Sequence, residues 1–188
     1  QTQPILGMMF NGTSGDTGSF TRTGKRYASF EAMQVYGREL ASQARAATQN
    51  VAFKNDIEIE MVQSRIQVGI RKPDSERLAW ARETLAASRE KKLPHRWSRI
   101  YANEAKFLAE YPNSIDLTLQ ALRVGDIAIT ANPCEMFAST GLAIKADSPF
   151  KDTLNIELAN GYGGYLPPVE QHRLGGYETW PARSSFLE

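Results

Sequence analysis

The sequence predicts an α/β domain in which a mixed β-sheet is flanked by helices. Three observations carry that prediction. Apolar residues alternate between Asp56 and Arg71, the period of a half-buried strand. Apolar side chains recur at helical spacing over 27–48 and 74–90. Between Ile115 and Leu158, strand, helix and strand follow one another through short connections, which implies at least one βαβ-like unit.

Taken in order, Pro4-Ile5-Leu6-Gly7-Met8-Met9-Phe10 reads as a buried strand, and Asn11 to Ser19 as a loop of glycines and small polar residues. Residues 27–48 read as a helix with Phe30, Met33, Leu40 and Ala44 on its core face. Residues 56–71 form a long strand or a hairpin arm. Pro73-Asp74 starts the helix 74–90, because a short side-chain oxygen accepts a free first-turn N–H. The basic stretch from Arg89 to Arg99 reads as a solvated connector, with a phosphate or headgroup patch as its alternative. A short helix spans 100–110 and ends at the turn cluster Tyr111-Pro112-Asn113-Ser114. Strands follow at 115–122 and 126–131 around Val124-Gly125-Asp126, then a helix at 134–146 and a strand at 153–158. Ala159 to Ser185 is loop-rich, and long loops at strand ends are where α/β domains keep their chemistry.

The 188 residues are 41% hydrophobic and 23% charged, which suits one domain and excludes a disordered or fibrous chain. Lysine and arginine (22) nearly balance aspartate and glutamate (21), so no global field steers nucleic acid or an anionic bilayer. A single cysteine, Cys134, excludes an intrachain disulfide framework and a Cys-rich zinc module. His95 and His172 are the two histidines, too few for a three-histidine metal site from this chain alone. No apolar run approaches the ~18 residues that span a bilayer. The chain starts at Gln1 directly before an apolar segment and ends on Ser185-Phe186-Leu187-Glu188 without a polar tail. That pattern predicts that 1–188 is a portion of a single domain from a longer protein, with a processed secreted chain as the alternative.

Two places suit chemistry. Glu135, in Asn132-Pro133-Cys134-Glu135, follows a strand and is read at a helix start, where free N–H groups favour an ionised carboxylate. Such a group can ligate a hard or borderline metal, and otherwise it is an ordinary first-turn acid. Tyr162 and Tyr165 sit on the glycine-rich loop Asn160-Gly161-Tyr162-Gly163-Gly164-Tyr165. A divalent metal can pull a phenol down from its usual pKa of about 10; the alternative is a pair of packed surface aromatics. His172 is a ligand or proton carrier, or else a plain loop histidine. Cys134 is a nucleophile only beside a histidine base, and reads better as a small buried thiol.

The segment Leu122 to Glu135 resembles the neutral/alkaline, non-lysosomal ceramidases, where a strand leads into a Pro-Gly-Glu turn and a helix. Leu158-Ala159-Asn160-Gly161-Tyr162-Gly163-Gly164-Tyr165 is similar to that family's Asn-x-Tyr-x-x-Tyr loop, and the likeness runs on through Pro168 and Glu170 to Tyr177-Glu178. Gly15-Asp16 is similar to its Gly-Asp-Val-Ser-Pro loop. The likeness is strong over 117–180, thin over 5–20 and absent between; it is closest to ceramidase-like proteins of environmental bacteria. It departs in having Gly18, then Ser19, at the family's serine, Cys134 at its glycine, and a shorter interval from Glu135 to Tyr165.

The resemblance implies the C-terminal part of a ceramidase-type catalytic domain, a zinc-dependent hydrolase of N-acylsphingosine or a related lipid amide. It implies that Glu135 and Tyr165 hold one zinc ion with two histidines from outside this chain, zinc lowering the pKa of water and polarising the amide carbonyl. Asp16 and Tyr162 are then the catalytic candidates, and Asn160 and Ser19 the substrate-binding ones. The implied partners are the lipid amide and the missing N-terminal portion, with no nucleic acid and no transmembrane segment, in a secreted or periplasmic protein. The alternatives are a catalytically silent relative that uses the fold for binding, and an unrelated interaction protein.

Overall fold

The computed structural model describes residues 7–18, 29–49, 51, 52, 54–88 and 90–188. Two compact units divide the chain: Thr17–Glu58, and a second made of the sixteen N-terminal residues with Ile59–Glu188.

In the smaller unit, α1 (Phe30–Thr48) starts where Ser29 Oγ accepts the Ala32 N–H at 3.1 Å. The predicted residues 27 and 28 lie outside the described ones. Its predicted core face is not a core face: no α1 residue is buried, and Phe30, Met33 and Leu40 are 82%, 63% and 59% exposed. The period of the stripe fixes a helix but does not supply a surface for it to cover.

The larger unit is an α/β fold around a mixed four-stranded sheet. It contains β1 (Ile59–Gly69), α2 (Ser75–Ala86), α3 (Ser98–Glu110), β2 (Ser114–Val124) and β3 (Ile127–Ala131). The two-residue β4 (Glu135–Met136), α4 (Ala138–Asp147), β5 (Asp152–Ile156), the two-residue β6 (Tyr165–Leu166), α5 (Val169–Leu174) and a 3-10 turn (Tyr177–Thr179) follow. The main sheet runs β1-β2-β3-β5. β1 lies antiparallel to β2 and β2 to β3, whereas β3 and β5 are parallel with α4 between them, the expected βαβ unit. Gly125, at φ 60°, makes the tight β2–β3 turn that a residue with a Cβ would strain.

β1 is a single strand rather than a hairpin, and most of it is exposed, not half-buried. Among the described residues it pairs on one side only, so its alternation has a ladder but little cover. Residues 7–10 form no strand, and Met8 and Met9 are 86% and 82% exposed. An apolar run is compatible with a strand but needs a neighbour's backbone to become one. Residues 4–6 of that expectation lie outside the described ones.

The core joins α3 to the sheet: Ile70, Leu108, Leu117, Cys134, Phe186 and Leu187 are buried together. Truncating a leucine there to alanine typically costs about 2–5 kcal/mol. The C-terminal residues belong to this core because the backbone zips to the end of β1, with Glu188 N–H on Gly69 O at 3.0 Å and Arg71 N–H on Phe186 O at 2.8 Å. α2 and α3 approach through Ala81, Ala102 and Ala105, whose small side chains let the helices close. Asp74 caps α2 as predicted, its Oδ1 accepting the Arg77 N–H at 2.7 Å. That helix stops at Ala86, short of 90, where Arg99 donates to the carbonyls of Thr84, Ala87 and Ser88. The basic stretch is thus a connector, with one of its cations serving as a C-terminal cap. No described helix is long and apolar enough to cross a membrane.

Candidate functional site

Glu135 and Tyr165 are brought together by the backbone. They are directly opposed in the parallel pair β4·β6, Glu135 N–H donating to Gly164 O at 2.9 Å and Tyr165 N–H to Ser184 O at 2.7 Å. Partners opposed in a ladder project from the same face. Accordingly the two side chains influence each other, the Tyr165 hydroxyl lowering the pKa of the Glu135 carboxyl and the Glu135 charge raising that of the Tyr165 phenol, and the ring of Tyr177 meets that of Tyr165 edge-on at 5.6 Å.

The helix predicted over 134–146 begins four residues later, at Ala138, so Glu135 is not a first-turn acid. The N–H groups of 135 and 136 are taken by Gly164 O and by the Glu157 carboxylate. The start of α4 is fixed from far along the chain: Asp16 Oδ1 accepts the Ala138 N–H at 2.7 Å. Asp16 is exposed and acts here as an N-terminal cap. Gly15 brings it to this place, its N–H donating to Met136 O at 2.8 Å, and a Cβ on Gly15 would lie 2.6 Å from Glu135 O.

The loop that carries the tyrosines lies against the segment that carries Glu135. Gly163 N–H donates to Pro133 O at 2.7 Å, and a Cβ at Gly163 would meet Cys134 Sγ at 2.5 Å. Gly164 adopts φ 71°, and Asn160, at φ 61°, sends Nδ2 to Gln120 Oε1 at 2.8 Å. Tyr162 is 53% exposed and lines a recess of about 320 Å³ with Tyr101, Glu104 and Arg183. Ser19 lies outside the described residues.

Burial raises the pKa of Glu135, the nearby Glu157 adds to the rise, and the Tyr165 hydroxyl opposes it. Burial also pushes Tyr165 up, helped by Tyr177 and by the Glu135 charge, so this phenol stays protonated at neutral pH unless a cation joins the site. Tyr162 is raised by burial and by the charge of Glu135. Cys134 is buried and its thiol is pushed up to about 11, first by burial and then by Glu157, which fits a packing role and not a nucleophile.

Glu157 was not singled out in the sequence. It is 3% exposed, and its carboxylate accepts the Ser14 N–H at 3.0 Å, the Ser14 hydroxyl, and the Met136 N–H at 2.9 Å. It ties the 12–16 loop to β4. The readable signal was a carboxylate inside the apolar run Leu154-Asn155-Ile156-Glu157-Leu158.

The histidines lie apart from the pair in role: His95 stacks edge-on with Trp97 and Trp180, and His172 is exposed on α5. Among the described residues no three of His, Cys, Asp and Glu group as a metal site. The hard oxygens of Glu135 and Tyr165 could serve as two ligands of a divalent cation, and a four-ligand zinc set would take its other two from elsewhere. The chain matches no known family, and no curated protein matches it.

Proposed function

We infer that this chain contributes the carboxylate and phenol half of a zinc centre in a hydrolase of N-acyl amides, of the ceramidase type. The observation that carries the reading is the Glu135–Tyr165 pair, opposed in one ladder with both side chains on one face. A half-buried carboxylate and phenol on one face suit a shared cation, which would offset the burial that holds both above their ordinary pKa. Zinc bound there with two histidines from outside the chain would supply Lewis acidity and a neutral-pH nucleophile from water.

The reaction adds water across the amide C–N bond and yields a carboxylate and an amine. Glu135 and Tyr165 would hold the metal, and Tyr177 packs edge-on against the Tyr165 ring. Tyr162, whose phenol pKa the Glu135 charge helps to raise, would serve as the phenolic donor to an oxyanion or a departing nitrogen. Asp16 acts by capping α4 and holding the loop on the Glu135 backbone, a positioning role. The Asn160 amide is engaged by Gln120, and it reaches substrate only by exchanging that bond. The substrate class is an N-acyl sphingoid or another lipid amide.

The test is metal analysis of the full-length protein together with hydrolysis of N-acyl sphingoid and N-acyl amino acid substrates, with and without chelator. About one zinc per chain, lost in Glu135→Ala and weakened in Tyr165→Phe, with chelator-sensitive turnover, is the expected result. A zinc-loaded protein inert on every amide would replace the enzyme by a silent relative. Metal-free protein with unaltered amide hydrolysis in Glu135→Ala would remove the zinc reading.

A further inference from the structure

A second cavity, lined by neither Glu135 nor Tyr165, lies between α2, α3 and the segment after the 3-10 turn. It holds about 600 Å³, within the usual span of small-molecule sites. Its walls are unusually aromatic. Trp80, Tyr101 and Trp180 line it with His95, and Tyr101 and His95 meet the Trp180 ring edge-on at 5.1 and 5.7 Å.

The charges around it are mostly positive: Arg71, Lys72 and Arg77 line the cavity against one carboxylate, Asp74. Three of these four are already committed. Arg71 holds the carbonyls of Thr179 and Ser185, Lys72 holds those of Leu108 and Ala109, and Asp74 caps α2. Lys72 therefore supplies mainly field, and so does Arg71, whose one donor without a partner among the described residues is its buried Nε. Arg77 is different. Its guanidinium lies 4.1 Å from the centre of the Trp80 ring, and among the described residues it has no carboxylate partner. A guanidinium held against a ring by cation–π attraction still has N–H groups to offer, and a guanidinium can grip a carboxylate or phosphate through two parallel bonds.

We propose that this cleft binds a small planar aromatic anion, the ring held by Trp80, Trp180 and Tyr101 and the negative group by Arg77. A neutral sugar is a poor match, because the lining offers a single carboxylate, Asp74, and no side-chain amide to bond its hydroxyls. A cation is repelled by the three basic residues. The site does not depend on the Glu135 reading.

All three tryptophans of the chain line this cleft or stack on its wall, so intrinsic fluorescence reports its occupancy directly. The experiment is titration of the full chain with 2-naphthoate, its neutral carboxamide and 2-naphthylmethylammonium, following tryptophan quenching. Naphthoate should quench saturably and bind at least tenfold more tightly than the carboxamide, with the ammonium weakest. Arg77→Gln should lose about tenfold for naphthoate and leave the carboxamide unchanged. Trp80→Phe should weaken both by a similar factor, and Glu135→Ala should alter neither. Equal affinity for all three probes, absence of saturation, or unchanged naphthoate binding in a folded Arg77→Gln protein overturns the proposal; circular dichroism establishes folding in each variant.

Discussion

Changing Glu157 to glutamine keeps the side-chain volume and removes one acceptor from a buried knot of three hydrogen bonds. One carboxylate oxygen takes both the backbone N–H and the hydroxyl of Ser14, and the other takes the Met136 N–H. A glutamine can offer its oxygen to one side only. If it faces Ser14, its NH2 opposes the buried Met136 N–H, which is left unpaired at a cost of about 1–3 kcal/mol. The two bonds that survive lose their charge-assisted part, roughly 1 kcal/mol each. Relief of the repulsion that Glu157 exerts on the Glu135 carboxylate offsets part of this. The net expectation is a loss of about 2–3 kcal/mol for Glu157→Gln and a larger one for Glu157→Ala, which frees all three donors. Urea unfolding followed by far-ultraviolet circular dichroism measures it, and hydrogen exchange at the Ser14 and Met136 amides localises it. A Glu157→Gln protein within about 0.5 kcal/mol of the parent, with both amides still protected, would refute the view that this carboxylate anchors the loop to β4.

Glu135 has a raised pKa when folded, so the folded protein binds the proton more tightly than the unfolded one. Its contribution to stability is then full below the unfolded-state value and is lost as pH rises through the folded one. Glu135→Gln should therefore stabilise the metal-free chain at pH 7, by less than about 1 kcal/mol because the group is largely solvent-screened, and the gain should vanish in acid; thermal melts across pH 3–8 check the sign. The Cys134 thiol, with its pKa pushed up to about 11, should resist a thiol-reactive disulfide reagent at pH 8 in the folded chain and react at once in urea. Gly163→Ala should cost about 1–3 kcal/mol by driving a Cβ into Cys134 Sγ, and Cys134→Ala in the same chain should recover part of it, which a double-mutant cycle would read.

What the sequence revealed was whatever short-range chemistry decides. Asp74 caps α2 with an oxygen three residues from its N–H, and the β3–α4–β5 crossover follows from strand and helix periods in succession. The start of α4 was misplaced because its cap comes from Asp16, 122 positions upstream, and no window around Pro133 contains that carboxylate. The short α5 went unread although Pro168 precedes it and Gly175, at φ 78°, closes it, signals that a six-residue segment carries too faintly to separate from a turn. Exposure was the least legible property. The stripe of α1 and the alternation of β1 specify period, and period is silent about what stands opposite. At the site, the tyrosine loop and Glu135 were found as separate motifs, while the carboxylate of Glu157 that secures β4 was passed over as the tail of a strand.

The contact between Glu135 and Tyr165 belongs to a ladder register, and that has a bearing on how such a site tolerates change. Thirty positions of chain separate the two residues, and helix, bend and strand fill the interval. None of that length sets their spacing; one rung of β4·β6 does. Extra residues at the bend 148–151 would lengthen the detour and leave the rung where it is, since a surface loop's closure entropy grows only with the logarithm of its length. A single residue inserted between Gly164 and Tyr165 would instead move the phenol to the other face of the ribbon and leave the glutamate facing a different side chain.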